Sequence, residues 1–380
     1  MNPVTRLCFY LLCCSFLCVC NVEAAEYVAG HEVAREEVLR AIPRQYIDAA
    51  RTTLHIAYQH TSHGTHVTRG MLGLASYKNG DDVTFGIKFT SSGRPTAFSG
   101  TAGDGRLDFH DYAINRWPYN DNIPASSDLS YNESAFVQLT RNFLDDPANG
   151  DINVVMWSWC NIAGHDVAAN YLPGMRTLID EYGPGGEKIL SGERAVPVTF
   201  VFMTGHANGN DNIGAGKPAD QAGLITDYCR QNGYFCLDYY SIDTHDMEGN
   251  YWPDAGDDGN SSAGGDFYRR WQDDHSLGEE WFENRSIEDG SHAYGEHTTQ
   301  DITANRKAYA MWWILARIAG WDPDDDKTDR DDQSPEENEN DNGQGNGREN
   351  PTPDTENGGI TAVGIPILRL TRHIYTCAWK

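Results

Sequence analysis

The chain has 380 residues, of which 39% are hydrophobic and 22% charged, and its formal net charge is −27. That length suits one large domain or two small ones. The acidity argues against nucleic acid as a partner, because phosphate recognition needs basic patches, and it helps keep an exported protein soluble.

Residues 1–25 read as a secretory signal peptide. Arg6 supplies the leading charge, residues 7–20 form a short apolar run, and Val22-Glu23-Ala24 puts small residues before a cut near Ala24 or Ala25. The run is too short for a comfortable membrane span, so the mature chain is expected to be secreted or periplasmic with no span. Lipoprotein processing at Cys20 is the weaker reading, since Cys18 and Val19 lead into it poorly. Five of the nine cysteines fall in this leader, leaving Cys160, Cys229, Cys236 and Cys377. Export permits disulfides. Cys229 and Cys236 flank a helix-to-strand connection and are the expected pair, with two separate buried thiols as the alternative. Cys160 reads as a packed thiol.

Residues 33–52 carry apolar side chains at helical spacing, and Pro43 divides them into one kinked or two short helices. A strand follows at 54–58, then a polar turn, His60-Thr61-Ser62-His63-Gly64, and a helix from about Thr65. A second strand is expected at 83–88. Residues 90–134, rich in Gly, Asp, Asn and Ser, read as a long loop-rich segment over one end of a sheet. Helices are expected at 134–144, 171–182, 219–232 and 299–320, and strands at 152–157, 198–203 and 234–239. Residues 241–265 form an acidic loop. Residues 322–358 hold fourteen acidic and three basic residues and almost nothing apolar, which reads as a disordered linker. The tail, 359–380, is mildly apolar and has no assigned role.

Five strands separated by helices or crossover-length segments imply an α/β fold, a parallel sheet with helices on both faces. Right-handed crossovers gather the strand carboxyl ends on one edge, where open α/β sheets bind ligands. Ser62, Asn161, His206 and Asp243 fall at those ends. A hydroxyl beside a helix N-terminus suits nucleophilic chemistry, because free amides there stabilise an oxyanion. Before the last helix, Asp289 stands three residues ahead of His292. Ser62, His292 and Asp289 are then candidates for nucleophile, base and orienting carboxylate.

With those parts in that order, the chain resembles the SGNH (GDSL-type) hydrolase superfamily over roughly residues 54–321. Asp289 and His292 match its D-x-x-H motif literally. Ser62 matches the nucleophile by position, Asn161 the Asn oxyanion donor, and Gly93 the Gly donor. The chain departs from the family's Gly-Asp-Ser, which is His60-Thr61-Ser62 here, and from Gly-x-Asn-Asp, which is Trp159-Cys160-Asn161-Ile162. The resemblance implies a three-layer, flavodoxin-like, five-stranded sheet in residues 26–321. It also implies a serine esterase without a required cofactor, acting on an ester-substituted carbohydrate or similar polar substrate. His63, His206 and Trp159 are expected to border that substrate.

Two other readings come from the residues themselves. His60, His63 and His206, with His66 nearby, supply imidazoles for a catalytic zinc in a metal-dependent hydrolase. The aromatics of 109–119 and 251–252 would serve a non-catalytic carbohydrate-binding module on a hydrolase-like scaffold. In the acidic loop, Asp243, Asp246, Glu248, Asp254, Asp257 and Asp258 offer oxygens to a calcium ion, against the plainer reading of a solvated loop.

Overall fold

The computed structural model describes residues 27–91, 94–95 and 105–324. The strands are β1 (Val28–Ala29), β2 (His55–Gln59), β3 (Ile87–Ser91), β4 (Arg94–Pro95), β5 (Leu107–Asp111), β6 (Val154–Trp157), β7 (Thr199–Met203), β8 (Cys236–Leu237), β9 (Asn260–Ser261) and β10 (Gly265–Asp266). The helices are α1 (Glu36–Ala41), α2 (Arg44–Thr53), α3 (Thr65–Leu74), α4 (Asp81–Thr84), α5 (Ala135–Leu144), α6 (Leu172–Tyr182), α7 (Glu187–Leu190), α8 (Pro218–Asn232), α9 (Tyr239–Thr244), α10 (Phe267–Asp274) and α11 (Asp301–Ile318).

The main sheet runs β1-β8-β7-β6-β2-β5-β3-β4. Every pairing in it is parallel except β3 with β4. The fold is therefore α/β, with seven parallel strands in place of the expected five. The largest departure is β5, which lies between β2 and β3 inside the segment expected to be loop. Its sequence, Leu107-Asp108-Phe109-His110-Asp111, buries alternate residues while the intervening Asp108 and His110 stay half-buried. Three polar residues in five, flanked by Gly- and Asp-rich chain, hide that alternation. Residues 81–84 form a helical turn, so β3 starts at Ile87 rather than at 83. The strand expected at 234–239 is just two residues long, because Asp238 caps α9 through the Ser241 amide at 3.2 Å. Pro43 ends the first helical stretch as expected, separating α1 from α2.

Period-2 alternation divides the core. Ile56 and Tyr58 of β2, Val154 and Met156 of β6, and Val201 and Met203 of β7 join one cluster with α2, α3 and α11. Ala57, Val155, Trp157, Phe200 and Phe202 join another with α5, α6 and α8. Residues 301–317 of α11 are buried on every side, and polar ones among them, Asp301, Asn305, Arg306 and Lys307, are hydrogen-bonded in the interior. At its crossing with α3, a Cβ on Gly70 would lie 2.2 Å from the Ala304 carbonyl oxygen, so only glycine allows this approach.

The chain leaves β2 toward β3 on one side and later returns to β6 on the other. The carboxyl end of β2 is therefore the switch point at which such sheets open a crevice. Among the described residues, no helix is long and apolar enough to cross a membrane. The leader expected at 1–25, Gly93, Cys377, the tail and most of the linker lie outside the described residues.

Candidate functional site

The turn after β2 is built around a buried histidine. His60 is fully buried, with Nε2 2.6 Å from Asp111 Oδ1 and its ring against Tyr58 and Tyr112. A Cβ on Gly64 would come within 2.2 Å of the His60 side chain, so the chain can double back over this ring only at a glycine. Between these two residues Ser62 takes a left-handed conformation, φ 35°. A non-glycine residue adopts that conformation only when its surroundings impose it. The Thr65 hydroxyl donates to the Ser62 carbonyl at 2.7 Å and closes the turn as α3 begins. The hydroxyls of Thr61 and Ser62 both approach the half-buried Cys160 thiol just beyond β6, and burial raises that thiol's pKa.

Three imidazoles stack beside this turn. The His63 ring lies 3.6 Å from His206, with an 8° interplanar angle, and 4.5 Å from His297. His63 Nε2 is 2.7 Å from Asp257 Oδ2, and its Nδ1 is 3.7 Å from Cys160 Sγ. A neutral His63 therefore carries its proton on Nε2 and donates it to the carboxylate. His206 Nδ1 donates to the Ala207 carbonyl at 2.8 Å, and the Ala207 amide donates to Asp243 Oδ2 at 3.2 Å. Burial pushes His63 down to about 3 and His206 down to about 4, while it raises Asp257. Donor atoms of His63, His206 and Asp257 lie within 4.8 Å of one another, as do those of His63, Cys160 and His297.

These depressed values predict a pH response. At about pH 5 an ordinary histidine is mostly protonated. His63 and His206 are expected to remain neutral there, which imidazole NMR shifts will report. The unfolded chain, with histidines near 6.5, then binds protons that the folded state refuses. Their contribution to stability is complete above about pH 6.5 and falls as pH drops toward 4. Asp243 and Asp257, whose pKa values are raised, act in the opposite sense over the lower part of that window.

Behind the imidazoles, Lys307 is fully buried. Its Nζ donates to Asp243 Oδ1 at 2.6 Å, to Thr303 Oγ1 at 2.9 Å and to His66 Nδ1 at 3.0 Å. An ammonium cannot accept a hydrogen bond, so His66 is neutral with its proton on Nε2. That proton goes to the Glu296 carbonyl at 2.8 Å, and the Glu296 amide donates to Thr65 Oγ1 at 2.9 Å. Gly295 lies so close that a Cβ would meet the His66 ring at 2.1 Å. Two residues on, His297 is exposed and takes φ 70°. Helix α3 thus clamps the strained segment that presents His297.

The structure rearranges the sequence-derived site. His292 pairs with Asp301, at 3.1 and 3.2 Å, rather than with Asp289. Asp289 instead accepts from the Ser291 amide and hydroxyl, so the D-x-x-H spacing forms a local turn and not an oriented imidazole. Among the described residues, no hydrogen bond or ring contact joins His292 to Ser62. Asn161, next in the chain to Cys160, is exposed, and its Oδ1 accepts from the Ala163 amide and from Asn208 Nδ2. Those bonds orient the amide and leave its Nδ2 uncommitted among the described residues. Gly93 lies outside the described residues. His63 and His206 belong to the imidazole stack. Trp159 is a core residue, 2% exposed and packed on Tyr171 and His165, because it faces inward from the end of β6.

His60, expected among the zinc ligands, is committed to Asp111 in the interior. The carboxylates of the acidic loop do not gather for calcium: Asp243 pairs with Lys307, Asp246 holds a turn through Asn250 and Trp252, Asp254 takes Ser261, Asp257 takes His63, and Asp258 takes Thr298. Cys229 and Cys236 are buried free thiols rather than a disulfide, and Cys160 is a half-buried free thiol rather than a fully packed one. Of the aromatics considered for saccharide binding, Phe109 is core, while Trp117 and Tyr251 are exposed. Sequence reasoning missed His297, Lys307 and the pairing role of Asp257. Only Asp257 had been singled out at all, as one acid among several.

Comparison of the chain with protein-family models, with curated proteins and with solved structures gives no match.

Proposed function

We propose that the chain is a serine hydrolase of SGNH-like type that deacylates esters of polar alcohols, outside the cytoplasm. The observation that carries this reading is Ser62. It is held in a left-handed conformation at the carboxyl end of β2, at the sheet's switch point, beside a set of neutral imidazoles. The two core clusters on opposite sides of β2, β6 and β7 support the three-layer, flavodoxin-like arrangement that this type requires.

The base in this reading is His297 instead of His292. Its ring nitrogen lies within 4.8 Å of Cys160 Sγ, which the Ser62 hydroxyl also approaches, and Asp257 stands close enough to stabilise an imidazolium there. Ser62 Oγ attacks the acyl carbonyl and its proton passes to His297. Asn161 Nδ2 and the Ser62 amide receive the oxyanion. The alcohol leaves with the proton from His297. Water, deprotonated by the same ring, then cleaves the acyl-serine and releases the acid. A carbohydrate ester as substrate is supported by exposed Tyr131, next to the Ser130 hydroxyl that binds the Asn161 amide at 2.8 Å, and by exposed Tyr251.

A fluorophosphonate is expected to form one adduct on the mature chain, mapped by peptide mass spectrometry to Ser62, and to block hydrolysis of short-chain aryl esters. An adduct on another residue, or turnover that survives complete labelling of Ser62, rejects the assignment.

A further inference from the structure

We infer that His63, His206 and Asp257 form a three-donor site for a divalent transition metal of the zinc class. The donors come from three separate places in the chain, the turn after β2, the loop after β7 and the loop before β9, yet lie within 4.8 Å of one another. The two rings are stacked nearly parallel at 3.6 Å, which sets their edges side by side. A cation at the ring edges, reached by one nitrogen of each ring once one imidazole turns out of the stack so that both in-plane lone pairs meet it, supplies a reason for two buried imidazoles and a carboxylate to converge.

The surroundings have the form of a metal site's outer layer. His206 commits Nδ1 to the Ala207 carbonyl, which fixes the tautomer and leaves Nε2 as a lone-pair donor. Asp243 holds the Ala207 amide in turn. On His63, Nε2 faces Asp257 and Nδ1 faces Cys160. Metal binding at Nε2 moves that ring's proton to Nδ1, where the Cys160 sulfur accepts it, so charge is conserved. The Asp257 carboxylate pairs with His63, whereas Lys307 is matched by Asp243.

Two nitrogens and one oxygen suit zinc, cobalt or nickel rather than calcium or magnesium, which favour oxygen alone. Zinc about 2.0–2.1 Å from each donor needs them roughly 3.3 Å apart. The 2.7 Å contact between His63 and Asp257 then opens by about half an ångström through side-chain rotation. Three protein ligands leave a coordination position free, as catalytic zinc sites do. His60, buried on Asp111, takes no part.

This inference stands apart from the esterase reading, because metal uptake is measured on the protein itself. The full mature chain, without a histidine tag, is stripped with chelator and titrated calorimetrically with zinc chloride. Cobalt(II) absorption gives a second readout. One equivalent is expected to bind at micromolar Kd or tighter. His206→Gln and Asp257→Asn are each expected to weaken binding at least about tenfold. His245→Gln, in the separate His31–His245 stack, is expected to leave it unchanged. Circular dichroism and metal-free melting confirm that each variant is folded. Should the parent take up no stoichiometric zinc, or folded His206→Gln and Asp257→Asn bind it as well as the parent does, the site is rejected. Because the two readings share Asp257, they are kept apart by their readouts on the parent chain: failure to take up zinc leaves labelling of its Ser62 standing, and failure to label Ser62 leaves its zinc uptake standing.

Discussion

Replacing Ser62 with alanine is expected to reduce ester hydrolysis by at least about a thousandfold, with the chain still folded. The effect is large because the hydroxyl is the attacking atom, and no group left on that turn can form the acyl intermediate. Alanine at this position keeps the Cβ that already tolerates φ 35°, so the melting temperature should move little. His297→Ala is expected to cost about a hundredfold or more, since the proton acceptor is lost while nucleophile and oxyanion donors remain. His292→Ala is expected to keep near-parental activity, because that ring is tied to Asp301. Cys160→Ser tests whether the thiol beside Ser62, rather than Ser62 itself, is the attacking group. The Ser62 account predicts that it retains turnover, and loss in Cys160→Ser with retention in Ser62→Ala would reverse the assignment. A parent inert on every ester would remove the esterase reading altogether.

What could be read from sequence follows the range of the interactions involved. The helices at 135–144, 172–182, 218–232 and 301–318 announce themselves through local apolar spacing, as do the strands ending at Trp157 and Met203. Ser62 stood out because turn, strand and helix are contiguous there. Strand β5 did not, since its stability comes from pairing with β2 and β3 on either side, which Leu107–Asp111 does not encode alone. The expected pairing of His292 with Asp289 is absent for a similar reason. D-x-x-H is a spacing, and the carboxylate that His292 meets comes from the start of α11, nine positions later in the chain. His297 becomes visible only when α3 folds against 294–297 and His66 pins the Glu296 carbonyl. Asp257 and His63 are 194 positions apart, a separation that no local pattern reports.

Lys307→Met is expected to be the most destabilising single change near the site, by roughly 3–5 kcal/mol, read as a shift of the urea unfolding midpoint at constant slope. Methionine matches the lysine stem in length, so little packing is lost. The cost arises from Asp243, which keeps its charge in the interior with its ammonium partner gone. Changing Asp243 to asparagine in the same chain should recover much of that loss. A double-mutant cycle would then give a coupling of at least about 1 kcal/mol. Burial already raises the Asp243 pKa, and loss of Lys307 raises it further. The folded variant therefore binds a proton before the unfolded chain does, and its deficit relative to the parent should shrink as pH falls. His66 Nδ1 loses its donor at the same time, which frees the tautomer that holds the Glu296 carbonyl and loosens the segment carrying His297. Ester turnover should then fall even at temperatures where Lys307→Met is fully folded. A variant within about 1 kcal/mol of the parent, or a double mutant no more stable than Lys307→Met alone, would show that this pair does not hold the site together.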